Sequence, residues 1–165
     1  MDKRLYISYG TNINKKQMLG NCPTAKPMAV ATLQGYQLIF QGRPGSAYVT
    51  IAPAKGQEVP VVVWEISAED EKLLDIYEGA RGGCYTKEYV EILVSGEMVK
   101  ALVYIMKPAP YGIPTDMYLK TIADGYMEAG FPIKILNDAL IRAYENTVTN
   151  EDAPNHENAV LRPAR

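Results

Sequence analysis

Hydrophobic and polar positions change their period along this chain, and the changes divide it into strands and helices. Near the N-terminus Arg4-Leu5-Tyr6-Ile7-Ser8-Tyr9 reads as a strand that runs into Gly10-Thr11-Asn12, followed by a short helix over 14–19. The middle is mostly strand. Residues 29–33, 36–40, 48–52, 59–66, 85–94 and 99–106 are rich in β-branched or aromatic side chains, with turn signals between them at Gly35, Pro44-Gly45, Lys55-Gly56 and Ser95-Gly96. Ser67 with Asp70 forms a capping box, Asp standing in for the usual Glu, for a helix that ends at Glu78. A second helix takes Thr115 as its cap, carries an apolar stripe of Leu119, Ile122, Ala123, Tyr126 and Met127, and stops at Gly130. A third starts near Pro132 and buries Ile133, Leu136, Leu140 and Tyr144. The pattern predicts an α+β fold: a curled mixed β-sheet or small β-barrel with flanking helices.

Length refines this to one domain. A chain of 165 residues supports one substantial core and buries roughly 70% of its unfolded surface. The domain is expected over residues 1–146, and the polar stretch 147–165, broken by Pro154 and Pro163, reads as a flexible tail. A formal charge of −2 with no basic stripe argues against nucleic acid or an anionic membrane as partner. The apolar run Leu5 to Ile7 is too short for a signal peptide and no run approaches the ~20 residues of a membrane span, so a cytoplasmic location is expected.

Candidate chemistry is narrowed by what is scarce. Cys22 and Cys84 are too few for a disulfide framework and read as reduced thiols. The single histidine, His156, lies in the polar tail, which argues against Ser-His-Asp and Cys-His catalysis and removes the commonest zinc ligand. Acid–base chemistry is left to a carboxylate, with Tyr or Lys in support. Tyrosine is plentiful, twelve against two phenylalanines, and most are expected half-buried in the sheet with the hydroxyl at the surface.

Glu78 is the carboxylate that stands out. It closes the apolar helix segment Leu73-Leu74-Asp75-Ile76-Tyr77 just before Gly79-Ala80-Arg81-Gly82-Gly83. The end of a helix carries the negative pole of its dipole, so an anion there costs a few tenths to about 1 kcal/mol. The same field, with apolar neighbours Leu74 and Tyr77, is expected to raise the carboxyl pKa toward the range of a base working near neutral pH. At the other end of the chain, the strand-turn-helix corner at Gly10-Thr11-Asn12 gathers backbone N–H groups suited to a carboxylate or phosphate, and an ordinary corner capped by Asn12 or Asn14 would read the same way.

Taken in order, Tyr9-Gly10-Thr11-Asn12, Ala31-Thr32-Leu33-Gln34-Gly35-Tyr36, Val61-Val62-Val63-Trp64-Glu65-Ile66, Leu74-Asp75-Ile76-Tyr77-Glu78-Gly79 and Pro114-Thr115-Asp116-Met117-Tyr118 resemble the gamma-glutamylcyclotransferase family and its AIG2-like relatives over residues 4–135. The resemblance implies that Glu78 is the catalytic base. It also implies that Tyr6, Ile7, Ser8, Tyr9, Gly10, Thr11 and Asn12 hold the substrate, with Tyr85 and Tyr118 as pocket residues. Thr11 departs from the family's usual Ser by an added methyl group. Pro60 stands where Gly is common and suggests an edge or bulge there.

The implied reaction closes a gamma-glutamyl amide to 5-oxoproline and releases the amine, with no metal or organic cofactor. Its nucleophile is the substrate's own amine, so well-oriented cyclisation supplies effective molarities of roughly 10⁵ M or more. Moving a proton from an α-ammonium near pKa 8 to a Glu near 4.3 is uphill by roughly 5 kcal/mol, and by about 2 kcal/mol if the Glu titrates near 6.5. The alternative is a protein of the same fold that binds a small carboxylate without turning it over.

Overall fold

The structure, a computed structural model, describes residues 4–43, 45–80, 83 and 85–150. The elements follow the chain as β1 (Arg4–Ser8), a 3₁₀ turn (Thr11–Ile13), α1 (Lys15–Asn21), β2 (Lys26–Gln41), β3 (Tyr48–Ile66), α2 (Ala68–Ala80), β4 (Tyr85–Val94), β5 (Glu97–Met106), α3 (Asp116–Ala129) and α4 (Ile133–Asn150). Five strands form one mixed sheet in the order β2-β3-β1-β5-β4. Short β1 lies at its centre, antiparallel to β3 and parallel to β5 through Tyr6 and Leu102. The sheet curls until its edge strands β2 and β4 approach one another, yet among the described residues no ladder joins them. Of the two expected forms, the curled sheet is the one found; the barrel stays open.

Four expected strands merge into two. Residues 29–33 and 36–40 belong to β2, and 48–52 and 59–66 to β3, whose antiparallel ladder runs from Lys26↔Glu65 to Gln41↔Tyr48. The glycines that read as turns, Gly35 and Gly56, do take the left-handed conformation, with φ of 82° and 79°. Gly35 lies where the register shifts between Gln34 and Tyr36, so the extra residues are absorbed as a bulge and the strands continue. Pro60 pairs with Thr32 on one side only, because the β1 ladder ends at Ser8↔Val62; β3 is locally an edge there and needs no donor. At Ser95-Gly96, with φ of 49° and 87°, the β4–β5 hairpin turns as read.

Helix starts match their local chemistry. Ser67 Oγ accepts from the Asp70 amide at 3.0 Å, and Asp70 Oδ2 accepts from the Ser67 amide at 3.1 Å, completing the capping box. Thr115 caps α3 by accepting from the Tyr118 amide, and Gly130 ends it in the left-handed conformation. Three details differ from expectation. Helix α2 continues two residues beyond Glu78, to Ala80. In α3 and α4 the buried stripes are Ile122, Gly125 and Tyr126, then Leu136, Ala139 and Ala143, while Met127 and Ile133 are exposed. Small Gly125 faces inward because α3 lies so close to the 3₁₀ turn that a Cβ there would sit 2.8 Å from the Asn14 nitrogen. Finally, α4 runs through residues 147–150, the first part of the expected tail. The remainder of that tail, with His156, and also Arg81 and Cys84 lie outside the described residues.

The core gathers side chains from the sheet and the helices, with Trp64, Phe40, Ile7, Leu74, Ile122 and Tyr126 fully buried. Among the described residues no helix is long and apolar enough to cross a membrane.

Candidate active site

Strand β1 and the two residues after it bring Tyr6, Tyr9 and Gly10 together. Ile7, Tyr6 and Tyr9 are buried, and beyond them Gly10 leads into the 3₁₀ turn, where the Ile13 and Asn14 amides bond back to the Gly10 and Thr11 carbonyls. The turn is held by side chains. Asn12 Nδ2 donates to the Tyr6 hydroxyl at 3.1 Å while its Oδ1 accepts from Asn21 at 3.0 Å. Ser8 points away from the cavity: its Oγ donates to the Asn12 carbonyl at 3.1 Å and accepts from the Trp64 indole at 3.0 Å. It braces the turn from behind.

The N-terminus of α1 offers less than its sequence suggests. Asn14 caps it by accepting from the Gln17 amide, and the Lys15 amide bonds to Glu128 at 3.0 Å. Any anion site at this corner therefore belongs to the turn and not to the helix end.

Tyr6, Ile7, Tyr9, Gly10, Thr11 and Asn12 line one small cavity, and Glu78 of α2 lines it with them. Tyr85 and Tyr118 complete the wall, together with Val49 and Tyr104, two residues not expected from sequence. Of the nine residues expected to hold the substrate, eight line this cavity and Ser8 does not; the expected base, Glu78, lines it as well.

Both wall tyrosines grip the same residue. Tyr85 donates its hydroxyl proton to the Val49 carbonyl at 2.7 Å, and the Tyr118 hydroxyl accepts from the Val49 amide at 2.9 Å. Tyr118 also meets Tyr48 edge-on, with ring centroids 5.3 Å apart. Val49 is itself buried, so its main chain is fixed from both sides.

The electrostatics follow from burial and from Glu78. Burial pushes the Tyr6 phenol far above its ordinary value, and the Glu78 charge, next in size, pushes it the same way. Burial does the same for Tyr9; a bond with Thr50 opposes it, and Glu78 again adds to it. Both phenols therefore stay protonated at any working pH and serve as hydrogen-bonding groups, not bases. The Tyr9 proton is committed to the Tyr104 carbonyl at 2.6 Å. Cys22 is buried, and its thiol is pushed up to about 12, chiefly by burial, which makes it inert. Among the described residues no three His, Cys, Asp or Glu side chains gather to hold a metal ion. A cavity with one carboxylate, neutral phenols and a backbone turn suits a small zwitterionic ligand and a single proton shuttle.

A family model described as gamma-glutamyl cyclotransferase, AIG2-like, matches residues 6–125. The bovine protein named gamma-glutamylcyclotransferase is 31% identical over 160 residues, covering 89% of this chain and 84% of its own. Its human namesake is 30% identical over 138 residues, with coverage of 79% and 73%. A solved structure titled gamma-glutamyl cyclotransferase superposes with a TM-score of 0.75 at 25% identity and covers 98% of this chain and 100% of its own.

Proposed function

The chain belongs to the gamma-glutamyl cyclotransferase, AIG2-like family, and on that premise we propose that it converts a gamma-glutamyl amide to 5-oxoproline and a free amine. The observation that carries the reading is the meeting of Glu78 with the Tyr6-to-Asn12 segment in one cavity. The turn at Gly10 and Thr11 holds the substrate α-carboxylate through its N–H groups, as backbone turns do for anions. That places the α-ammonium toward Glu78.

Glu78 then removes a proton from the ammonium, and the amine nitrogen attacks the γ-carbonyl carbon to close a five-membered ring. The tetrahedral centre collapses as the original C–N bond breaks and the departing nitrogen takes the proton that Glu78 accepted; the ring nitrogen then yields its second proton to Glu78, which passes it to the freed amine, so that a neutral lactam and an ammonium leave and the carboxylate is restored. One carboxyl group serves these transfers, and no covalent enzyme intermediate forms. The enzyme's larger contribution is to hold the chain in its ring-closing conformation, since orientation alone accounts for roughly 7 kcal/mol or more in intramolecular reactions. Neutral Tyr6 and Tyr9 add dipoles without competing for the proton. The reaction is a cyclising acyl transfer, and these residues ask for no cofactor.

Product analysis tests this directly. Incubation with a gamma-glutamyl amide is expected to release 5-oxoproline and the amine in equal amounts. Release of free glutamate would mean hydrolysis, and binding without turnover would mean a carboxylate receptor of the same fold.

A further inference from the structure

Helix α2 carries Glu78, yet its second half has little apolar anchorage. Leu74 is buried, whereas Leu73 is 41% and Ile76 68% exposed, and Asp75 faces a polar neighbourhood. Something other than core packing must set where the helix end lies.

Tyr104 of β5 meets that need. Its hydroxyl donates to Asp75 Oδ1 at 2.5 Å, and its main-chain carbonyl accepts from the Tyr9 hydroxyl at 2.6 Å. One residue thus bonds through its side chain to the helix that bears Glu78 and through its backbone to the segment that lines the substrate side. Lys87 of β4 backs the contact, with Nζ 3.1 Å from the Asp75 carboxylate and a second ion pair to Glu71, which Arg4 also holds at 2.9 Å. Edge-on packing of the Tyr6 and Tyr104 rings, 6.0 Å between centroids, fixes the ring itself.

We propose that Tyr104 and Asp75 are positioning residues, a clasp that sets the placement of Glu78 relative to the Tyr9–Asn12 turn. The proposal rests on the cyclotransferase reading above. Asp75 is one helical turn before Glu78 on the same helix, so its tether to Tyr104 restrains the last turn without touching substrate. Small displacements matter here: a misplacement of about 1 Å costs on the order of 10²-fold in a reaction that depends on orientation. The Lys87–Asp75 pair is partly solvent-exposed and contributes little by itself, so the hydrogen bond from the Tyr104 hydroxyl to the Asp75 carboxylate does most of the holding.

The test uses three variants and two readouts. Tyr104→Phe keeps the ring and the carbonyl and removes the hydroxyl; Asp75→Ala removes the acceptor; Asp75→Asn keeps an acceptor and discards the charge. Tyr104→Phe and Asp75→Ala are each expected to lower kcat roughly tenfold with KM within about threefold, and the double variant to be no worse than the poorer single one. Asp75→Asn is expected to recover at least about half of the loss on a logarithmic scale, which a purely electrostatic role for Asp75 would not allow. Amide hydrogen exchange at residues 76–80 is expected to quicken in Tyr104→Phe and Asp75→Ala while β3 stays protected. Unchanged exchange there, unchanged kcat, or a fall in KM-limited binding alone would overturn the clasp. If the unmodified protein turns over no gamma-glutamyl amide, the cyclotransferase reading falls, and the exchange result alone then decides the clasp.

Discussion

Gly10 lies so close to Val49 that a Cβ on the glycine would sit 2.6 Å from Val49 Cγ1. The glycine's backbone angles, φ −124° and ψ −131°, are ones in which close approach, not a left-handed turn, excludes a side chain. Val49 cannot retreat easily, because Tyr85 and Tyr118 hold its carbonyl and amide. The glycine therefore protects the packing of the cavity wall.

Gly10→Ala is accordingly expected to lower both stability and activity, with activity down by roughly tenfold or more and the melting temperature down by several degrees. Adding Val49→Ala supplies the missing space. The double variant is expected to be more active than Gly10→Ala alone, a favourable coupling of about 0.5–3 kcal/mol in a double-mutant cycle. Strictly additive effects would show that the clash is relieved elsewhere.

The two tyrosines that grip Val49 are not equivalent. Tyr118→Phe removes an acceptor from the Val49 N–H, and Tyr85→Phe removes a donor from its carbonyl. An orphaned N–H is tolerated less well than a carbonyl with a second lone pair. Urea unfolding is expected to show Tyr118→Phe as the costlier change, by up to about 1–3 kcal/mol against a smaller loss for Tyr85→Phe.

Alkaline pH probes the buried phenols. Tyr6 and Tyr9 have folded-state pKa values above their unfolded ones, so the folded state binds more protons once pH exceeds about 10. Their contribution to stability is fully present below that value and is lost as pH rises beyond it, with a slope of up to about −1.4 kcal/mol per pH unit for each group. Tyr6→Phe is expected to flatten the slope measured by denaturant unfolding above pH 10. Equal slopes in the variant and the parent would mean that Tyr6 ionises freely when folded.

Much of the architecture was legible because it is written in local chemistry. Ser67 and Asp70 cap α2, Thr115 and Gly130 bound α3, and residues 85–94 form one strand with the limits read for them. Gly35 and Gly56 misled because a left-handed glycine looks the same in a bulge as in a chain reversal, and only the long-range β2–β3 ladder separates the two. Met127 and Ile133 follow the helical period but are exposed, since α3 packs Gly125 against the 3₁₀ turn and α4 packs on β2, and those contacts select which stripe is buried. In the site, Glu78 and the Tyr6–Asn12 segment stood out through their chain context and family resemblance. Val49 and Tyr104 did not. One is an ordinary β-branched residue and the other one of many sheet tyrosines, and their roles depend on which partners the sheet register brings to them.

Glu78→Gln tests the central claim most directly. The substitution keeps the size and polarity of the side chain and removes its ability to accept a proton. The expected result is a folded protein that binds 5-oxoproline but forms it from a gamma-glutamyl amide roughly 10²- to 10⁴-fold more slowly at saturation. A variant whose 5-oxoproline formation stays within about tenfold of the parent would contradict the assignment of Glu78 as the base.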